Sequence, residues 1–168
     1  MPTISENTMP SVMATTRWPG NGASLGKVAE CGTGDVDAAV AAAKAAFKEW
    51  RGVAPLERAR ILRRVAQILR DHAGELAMID AADCGNPVKE MLGDANIAAA
   101  QMEFFAGLVT EMKGSSIPMG ADAVNFSVRE PRGVIGRIIP FNHPFMFCAG
   151  KSAAPYRATD DGRTGQRR

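Results

Sequence analysis

The sequence predicts an α/β fold that is rich in helix, poor in strand and left with an incomplete sheet. Three observations carry this expectation. Long stretches between residues 33 and 114 place apolar residues three and four positions apart, the period of a helix with one buried face. Val124, Phe126 and Val128 alternate strictly with polar neighbours, the pattern of a half-exposed strand. Val134-Ile135-Gly136-Arg137-Ile138-Ile139 is a nearly continuous apolar run, which suits a parallel strand covered on both faces. With 46% hydrophobic and 23% charged residues among 168, the chain has the composition of a folded domain and not of a disordered one.

In chain order, residues 1–20 are polar and punctuated by proline, and are expected as a loose arm in which Met1, Met9 and Met13 are each candidate starts. Residues 21–31 read as a short hairpin. Thr33-Gly34-Asp35 caps a first helix, whose stripe is Val36, Val40, Ala43, Phe47 and Trp50. Asp35 and Asp37 stand where the positive end of the helix dipole favours acids. A second helix starts at Ala54-Pro55 and buries Ile61, Leu62, Val65, Ile68 and Leu69, with Arg58, Arg60, Arg63, Arg64 and Arg70 mostly on its solvated face. A further helical piece over about 75–82 stops at Gly85-Asn86-Pro87. The third long helix carries Met91, Ala95, Ala98, Met102, Phe105, Val109 and Met112 and ends at Gly114. After the strand at 134–139 comes the breaker segment Pro140-Phe141-Asn142-His143-Pro144, then a helix start with Pro144 in its first turn.

From Lys151 onward Leu, Ile, Val, Phe, Met and Trp are absent, so no second parallel strand is encoded to pair with 134–139. Cys31, Cys84 and Cys148 are scattered without metal-ligand spacing, and only His72 and His143 accompany them, so no metal is expected. An odd number of dispersed thiols fits a reducing compartment, and the N-terminus lacks the basic and apolar regions of a signal peptide; the expected location is the cytoplasm. No run is long enough to span a membrane. Asp160 and Asp161 interrupt Arg157, Arg163, Arg167 and Arg168, and Tyr156 is the one aromatic beside them, so a nucleic-acid partner is not expected.

The segment Ile139-Pro140-Phe141-Asn142-His143-Pro144 resembles the "I-P-W-N-F-P" stretch of the NAD(P)-dependent aldehyde dehydrogenases. Gly34-Asp35-Val36-Asp37-Ala38-Ala39-Val40, Pro55-Leu56-Glu57-Arg58-Ala59-Arg60-Ile61-Leu62, Cys84-Gly85-Asn86-Pro87 and Arg129-Glu130-Pro131 resemble further segments of that family, in the family's order. The resemblance implies the N-terminal part of a Rossmann-type cofactor domain over 21–155, with 156–168 a polar tail foreign to the family. It implies NAD or NADP as cofactor, an aldehyde as substrate, and oxidation to a carboxylic acid through a cysteine thiohemiacetal. Asn142 is then the side-chain oxyanion donor, Ile139, Pro140, Phe141 and Asn142 form a cofactor-binding turn, and Lys151 is a further candidate. The alternative for Asn142 is a loop amide bonded to its own backbone in an Asn-x-Pro turn.

His143 replaces the usual Phe, and Gly150 stands where a large aromatic is common. The family's nucleophile motif "N-x-G-Q-x-C" and base motif "E-L-G-G" do not occur in the sequence. Cys148, between Phe147 and Ala149, is expected to be a buried, inert thiol. The chain therefore reads as a prematurely ended or frameshifted family member, inactive alone, and associating with itself or with a full-length relative. The competing reading is a non-catalytic interaction module that docks on such a relative.

Overall fold

The computed structural model describes residues 13–157 and, by backbone alone, 161–167. The order of elements is β1 (Met13–Arg17), β2 (Ser24–Ala29), α1 (Thr33–Trp50), α2 (Pro55–Asp71), α3 (Ala73–Cys84), α4 (Val88–Gly107), a 3-10 turn (Val109–Glu111), β3 (Ser116–Pro118), β4 (Val124–Glu130), α5 (Pro144–Arg157) and β5 (Asp161–Arg167). It is a helix-rich α/β arrangement with two small antiparallel sheets, β1-β2 and β3-β4-β5.

The core lies where α4 meets α2, α3 and α5. Ala59, Leu62, Ala66 and Leu69 of α2 pack against Ala98, Ala99, Met102 and Ala106 of α4, with Val109 and Ala153 completing the cluster. Small side chains dominate, so the helices approach closely. A second cluster, Ala77, Ala81 and Met91, joins α3 to α4. Gly85 ends α3 in the left-handed conformation (φ 81°) that glycine adopts without steric cost.

Most helices follow the sequence. Pro55 opens α2, and the α4 stripe is buried at Met91, Ala95, Ala98 and Met102. That helix ends at Gly107 and not at Gly114, its last apolar positions passing into the 3-10 turn. On α2, Arg58 departs from the expected solvated face: it is buried, and its Nη1 donates to Val53 O at 3.0 Å. Ile68, expected inside, is exposed because Leu62, Ala66 and Leu69 set the buried line. Helix α1 has no buried residue. Its N-terminus is closed by the Asp35 carboxylate, which accepts the Gly32 N–H at 2.8 Å.

The strands correct the sequence reading in three places. The hairpin pairs 13–17 with 24–29, so the second half of the expected loose arm is β1; residues 1–12 lie outside the described residues. The expected strand at 134–139 does not form: the stretch is irregular and its residues are exposed or half-exposed. A strand of this kind is held by ladder bonds to neighbours on both sides, and no described strand lies beside it. Conversely, β5 arises in the polar tail by pairing antiparallel to β4, with Asp161 opposite Glu130 and Arg167 opposite Val124. Such pairing requires only backbone N–H and C=O groups, which every residue but proline supplies. The alternating strand expected at 124–128 is β4, and Gly114 lets the chain pass it closely: a Cβ there would stand 1.8 Å from Ser127 O.

Candidate functional site

The turn between the irregular 134–140 stretch and α5 carries the sequence-predicted residues. Ile139, Pro140, Phe141 and Asn142 form one contiguous exposed segment, with the Phe141 side chain 88% exposed. His143 precedes Pro144, which occupies the first turn of α5, and the Phe147 N–H donates to His143 O at 3.1 Å to open the helix.

The turn is held from outside. Asn86, in the α3–α4 connection, donates from Nδ2 to Asn142 O at 2.6 Å. Asp94 Oδ2 of α4 lies 2.6 Å from His143 Nδ1; in the tautomer with its proton on Nδ1 the imidazole donates and the carboxylate accepts. The Phe145 backbone N–H lies near the Asp80 carboxylate of α3 and favours its charged form. The Asn86 bond reaches the Asn142 backbone carbonyl and not its side-chain amide, and among the described residues no hydrogen bond joins that amide to its own backbone.

Both carboxylates are buried, Asp80 at 8% and Asp94 at 6% exposure. Burial pushes the Asp80 carboxyl above the usual range; the Phe145 N–H opposes this, while the nearby charges of Asp94 and Asp83 reinforce it. One Asp80 oxygen, Oδ2, is buried without a hydrogen-bond partner. Neither aspartate was singled out by the sequence reading. The signal was present: Asp94 sits three residues after Met91 and four before Ala98, and Asp80 three after Ala77, positions that an apolar stripe fills with small hydrophobic residues.

Lys151 lies on α5. Its ammonium stands over the Phe147 ring, 4.4 Å from the centroid. Cys148 corrects the sequence reading, since its residue is exposed on α5 and not buried. Gly150 is buried against α4, where an added Cβ would meet Gln101 Oε1 at 2.1 Å and Ala98 Cα at 3.3 Å. A large aromatic therefore has no room at this position.

A groove of about 540 Å³ lies elsewhere, between α1, residues 133–137 and the end of α5. Phe47, Trp50, Val134, Ile135 and Tyr156 line it, and Trp50 meets Tyr156 edge to face at 5.9 Å. Its lining does not include 139–142, so the groove and the turn are separate features. Among the described residues no group of His, Cys, Asp and Glu is arranged to hold a metal, and no helix is long and apolar enough to cross a membrane. Arg157 is half-buried with its guanidinium over Phe105, while the side chains of Arg163, Arg167 and Arg168 lie outside the described residues.

A model of the aldehyde dehydrogenase family matches residues 7–158. Aldehyde dehydrogenase TropH of Talaromyces stipitatus is 42% identical over 139 residues, which are 81% of this chain and 27% of that protein. Among solved structures, PnpE in complex with nicotinamide adenine dinucleotide superposes with a TM-score of 0.84 at 33% identity, covering 88% of this chain and 31% of that one. An aldehyde dehydrogenase from Brucella melitensis biovar abortus 2308 gives a TM-score of 0.86 at 26% identity, covering 90% and 32%. The chain thus spans between 27% and 32% of the length of these relatives.

Proposed function

The chain belongs to the aldehyde dehydrogenase family, and from that premise we propose that its 139–142 turn is one wall of a site where an aldehyde is oxidised to a carboxylic acid with NAD or NADP. The observation that carries the reading is Asn142: its carboxamide is exposed while its backbone is gripped by Asn86. When a thiolate adds to an aldehyde carbonyl, negative charge develops on the oxygen. A fixed amide N–H aimed at that oxygen stabilises the charge without reorganising during the reaction. Ile139, Pro140 and Phe141 offer an exposed apolar surface to a cofactor ring. The nicotinamide, when bound, supplies the hydride acceptor.

The residues present fit only part of such a cofactor. A pyrophosphate is commonly held at a helix N-terminus, but the first turn of α5 already faces the buried carboxylates of Asp80 and Asp94. The nucleophile and base motifs are also absent from these 168 residues. We therefore expect no NADH formation by the purified chain with a panel of aliphatic and aromatic aldehydes; turnover abolished by Cys148→Ala would overturn this. Calorimetric titration with NAD should show no binding tighter than about 100 µM, roughly −5.5 kcal/mol. In a longer polypeptide that joins this segment to the nucleophile and base, Asn142→Ala should lower kcat by about 10²–10³. An unchanged kcat would remove Asn142 from the mechanism.

The free thiols of Cys31, Cys84 and Cys148 support a reducing location such as the cytoplasm. A second reading, a non-catalytic module that docks on a full-length relative, draws support from the exposed apolar stretch around Ile135, Ile138 and Phe141. Co-purification with an intact aldehyde dehydrogenase, lost on Ile138→Lys, would favour it.

A further inference from the structure

Three side chains from two helices and the connection between them converge on four consecutive residues, 142–145. Asn86 grips the Asn142 carbonyl and Asp94 the His143 imidazole, while the Asp80 carboxylate lies near the Phe145 amide. The first two ties cross 56 and 49 residues of sequence, so local turn propensity does not explain them. We propose that Asn86, Asp94 and Asp80 are positioning residues for Asn142: together they fix the backbone of the turn so that its carboxamide is held outward at a set place. The proposal rests on the oxyanion reading above for its purpose, though not for its test.

Stability alone does not account for this arrangement. A buried carboxylate costs free energy unless hydrogen bonds offset its lost hydration. Asp80 remains under-satisfied at Oδ2, and the neighbouring buried positions of α3 and α4 are filled by alanine and methionine. Two buried acids side by side would be poor choices for packing, yet each lies near a polar group of the Asn142 turn. His143 places its Nδ1 2.6 Å from Asp94 Oδ2 and so gives that buried carboxylate a polar partner. Precision is what such a shell contributes, because a shift of about 1 Å in a catalytic group is enough to lower a rate by two orders of magnitude.

Amide hydrogen exchange of the 168-residue chain, followed by mass spectrometry at neutral pH, tests this directly. Asn86→Asp removes the donor and sets a carboxylate against the Asn142 carbonyl; Asp94→Ala removes the acceptor for His143. Each should accelerate exchange across 141–150 by about tenfold or more, while the buried stretch of α4 over 95–106 keeps its protection. Asp94→Asn retains an acceptor oxygen and should restore slow exchange. Asn142→Ala should exchange at the rate of the parent chain, since only its backbone is gripped. Unchanged exchange over 141–150 in Asn86→Asp would overturn the proposal, as would equal acceleration along α4, which would mark a general loss of bundle stability. If Asp94→Ala loses its helical circular dichroism, Asn86→Asp decides alone. Failure of the oxyanion reading would instead show as the unchanged kcat of Asn142→Ala in the longer polypeptide, a separate measurement.

Discussion

Asp80 is a buried acid with other acids nearby. Its carboxyl is raised above the ordinary value of 3.8, chiefly by burial, with Asp94 and Asp83 adding repulsion. Between the ordinary and the folded value, the folded state holds a proton that the unfolded chain has released. Stability from this group is complete below the ordinary value and is lost as pH rises through the folded value. Asp80→Asn keeps the size of the side chain and removes the charge. It should raise the urea midpoint of helix loss at pH 7, with a gain on the order of 1 kcal/mol, and the gain should vanish in acid below the ordinary carboxyl range. A midpoint unchanged at pH 7 would show that Asp80 is hydrated. The thiols give a second residue-scale expectation. Cys31 and Cys148 are exposed, whereas Cys84 is half-buried with its Sγ 3.7 Å from Met91 Sδ. A thiol reagent should label two groups quickly and the third slowly. Sequence misplaced Cys148 because its neighbours Phe147 and Ala149 are apolar, but on a helix adjacent residues face different directions. The loop position of Asn142, by contrast, was legible, since a breaker loop before a helix start announces itself in the residue order.

At the scale of elements, the helices were the legible part because their signal is local. The α4 stripe named Met91, Ala95, Ala98 and Met102, and all four are buried. Strands were legible only where the partner is near in sequence, as for β4 beside β3. The apolar run at 134–139 reports what its side chains would do between neighbours, while strand formation depends on whether neighbours are there. The same reasoning covers β5, where a sequence without large apolar residues pairs through its backbone. Helix contact is a matter of a few tenths of an ångström, which no periodicity reveals. Gly150 shows this: a Cβ there displaces Gln101, whose end is flexible, but also approaches the Ala98 backbone. Gly150→Ala should be close to neutral, since its helix propensity gain of about 1 kcal/mol offsets the crowding. Gly150→Phe should destabilise by about 1–3 kcal/mol or separate α5 from α4. The check is the denaturation midpoint of each variant followed by circular dichroism. Equal midpoints for the two would mean that α5 is not docked on α4 in solution.

For the whole molecule, the balance between its small core and its uncovered surface decides how it behaves. The core is largely alanine, with Leu62 and Met91 its largest fully buried side chains. Against this stand large exposed hydrophobic residues on several elements: Leu56, Met78, Ile79, Phe104, Ile138 and Phe141, with Ile138 at 102% of its reference exposure. Soluble monomers rarely expose contiguous apolar patches beyond a few hundred Å², and residues 134–141 place Ile135, Ile138, Ile139 and Phe141 within one short segment. Among the described residues no strand pairs with the backbone of that segment, which offers further sites for another chain to add to. The helices are expected to persist, because α2, α3, α4 and α5 bury contacts with one another independently of that segment. Expressed alone, the chain should therefore be helical by circular dichroism yet elute well above its 17.8 kDa monomer mass in light-scattering chromatography. Ile138→Lys with Phe141→Lys should shift it toward monomer without reducing helix content, since neither residue belongs to the core. A concentrated, monodisperse monomer of the parent chain with one sharp thermal transition would mean that 134–141 covers itself in solution. Such independent folding would favour the interaction-module reading, with a docking surface other than 134–141.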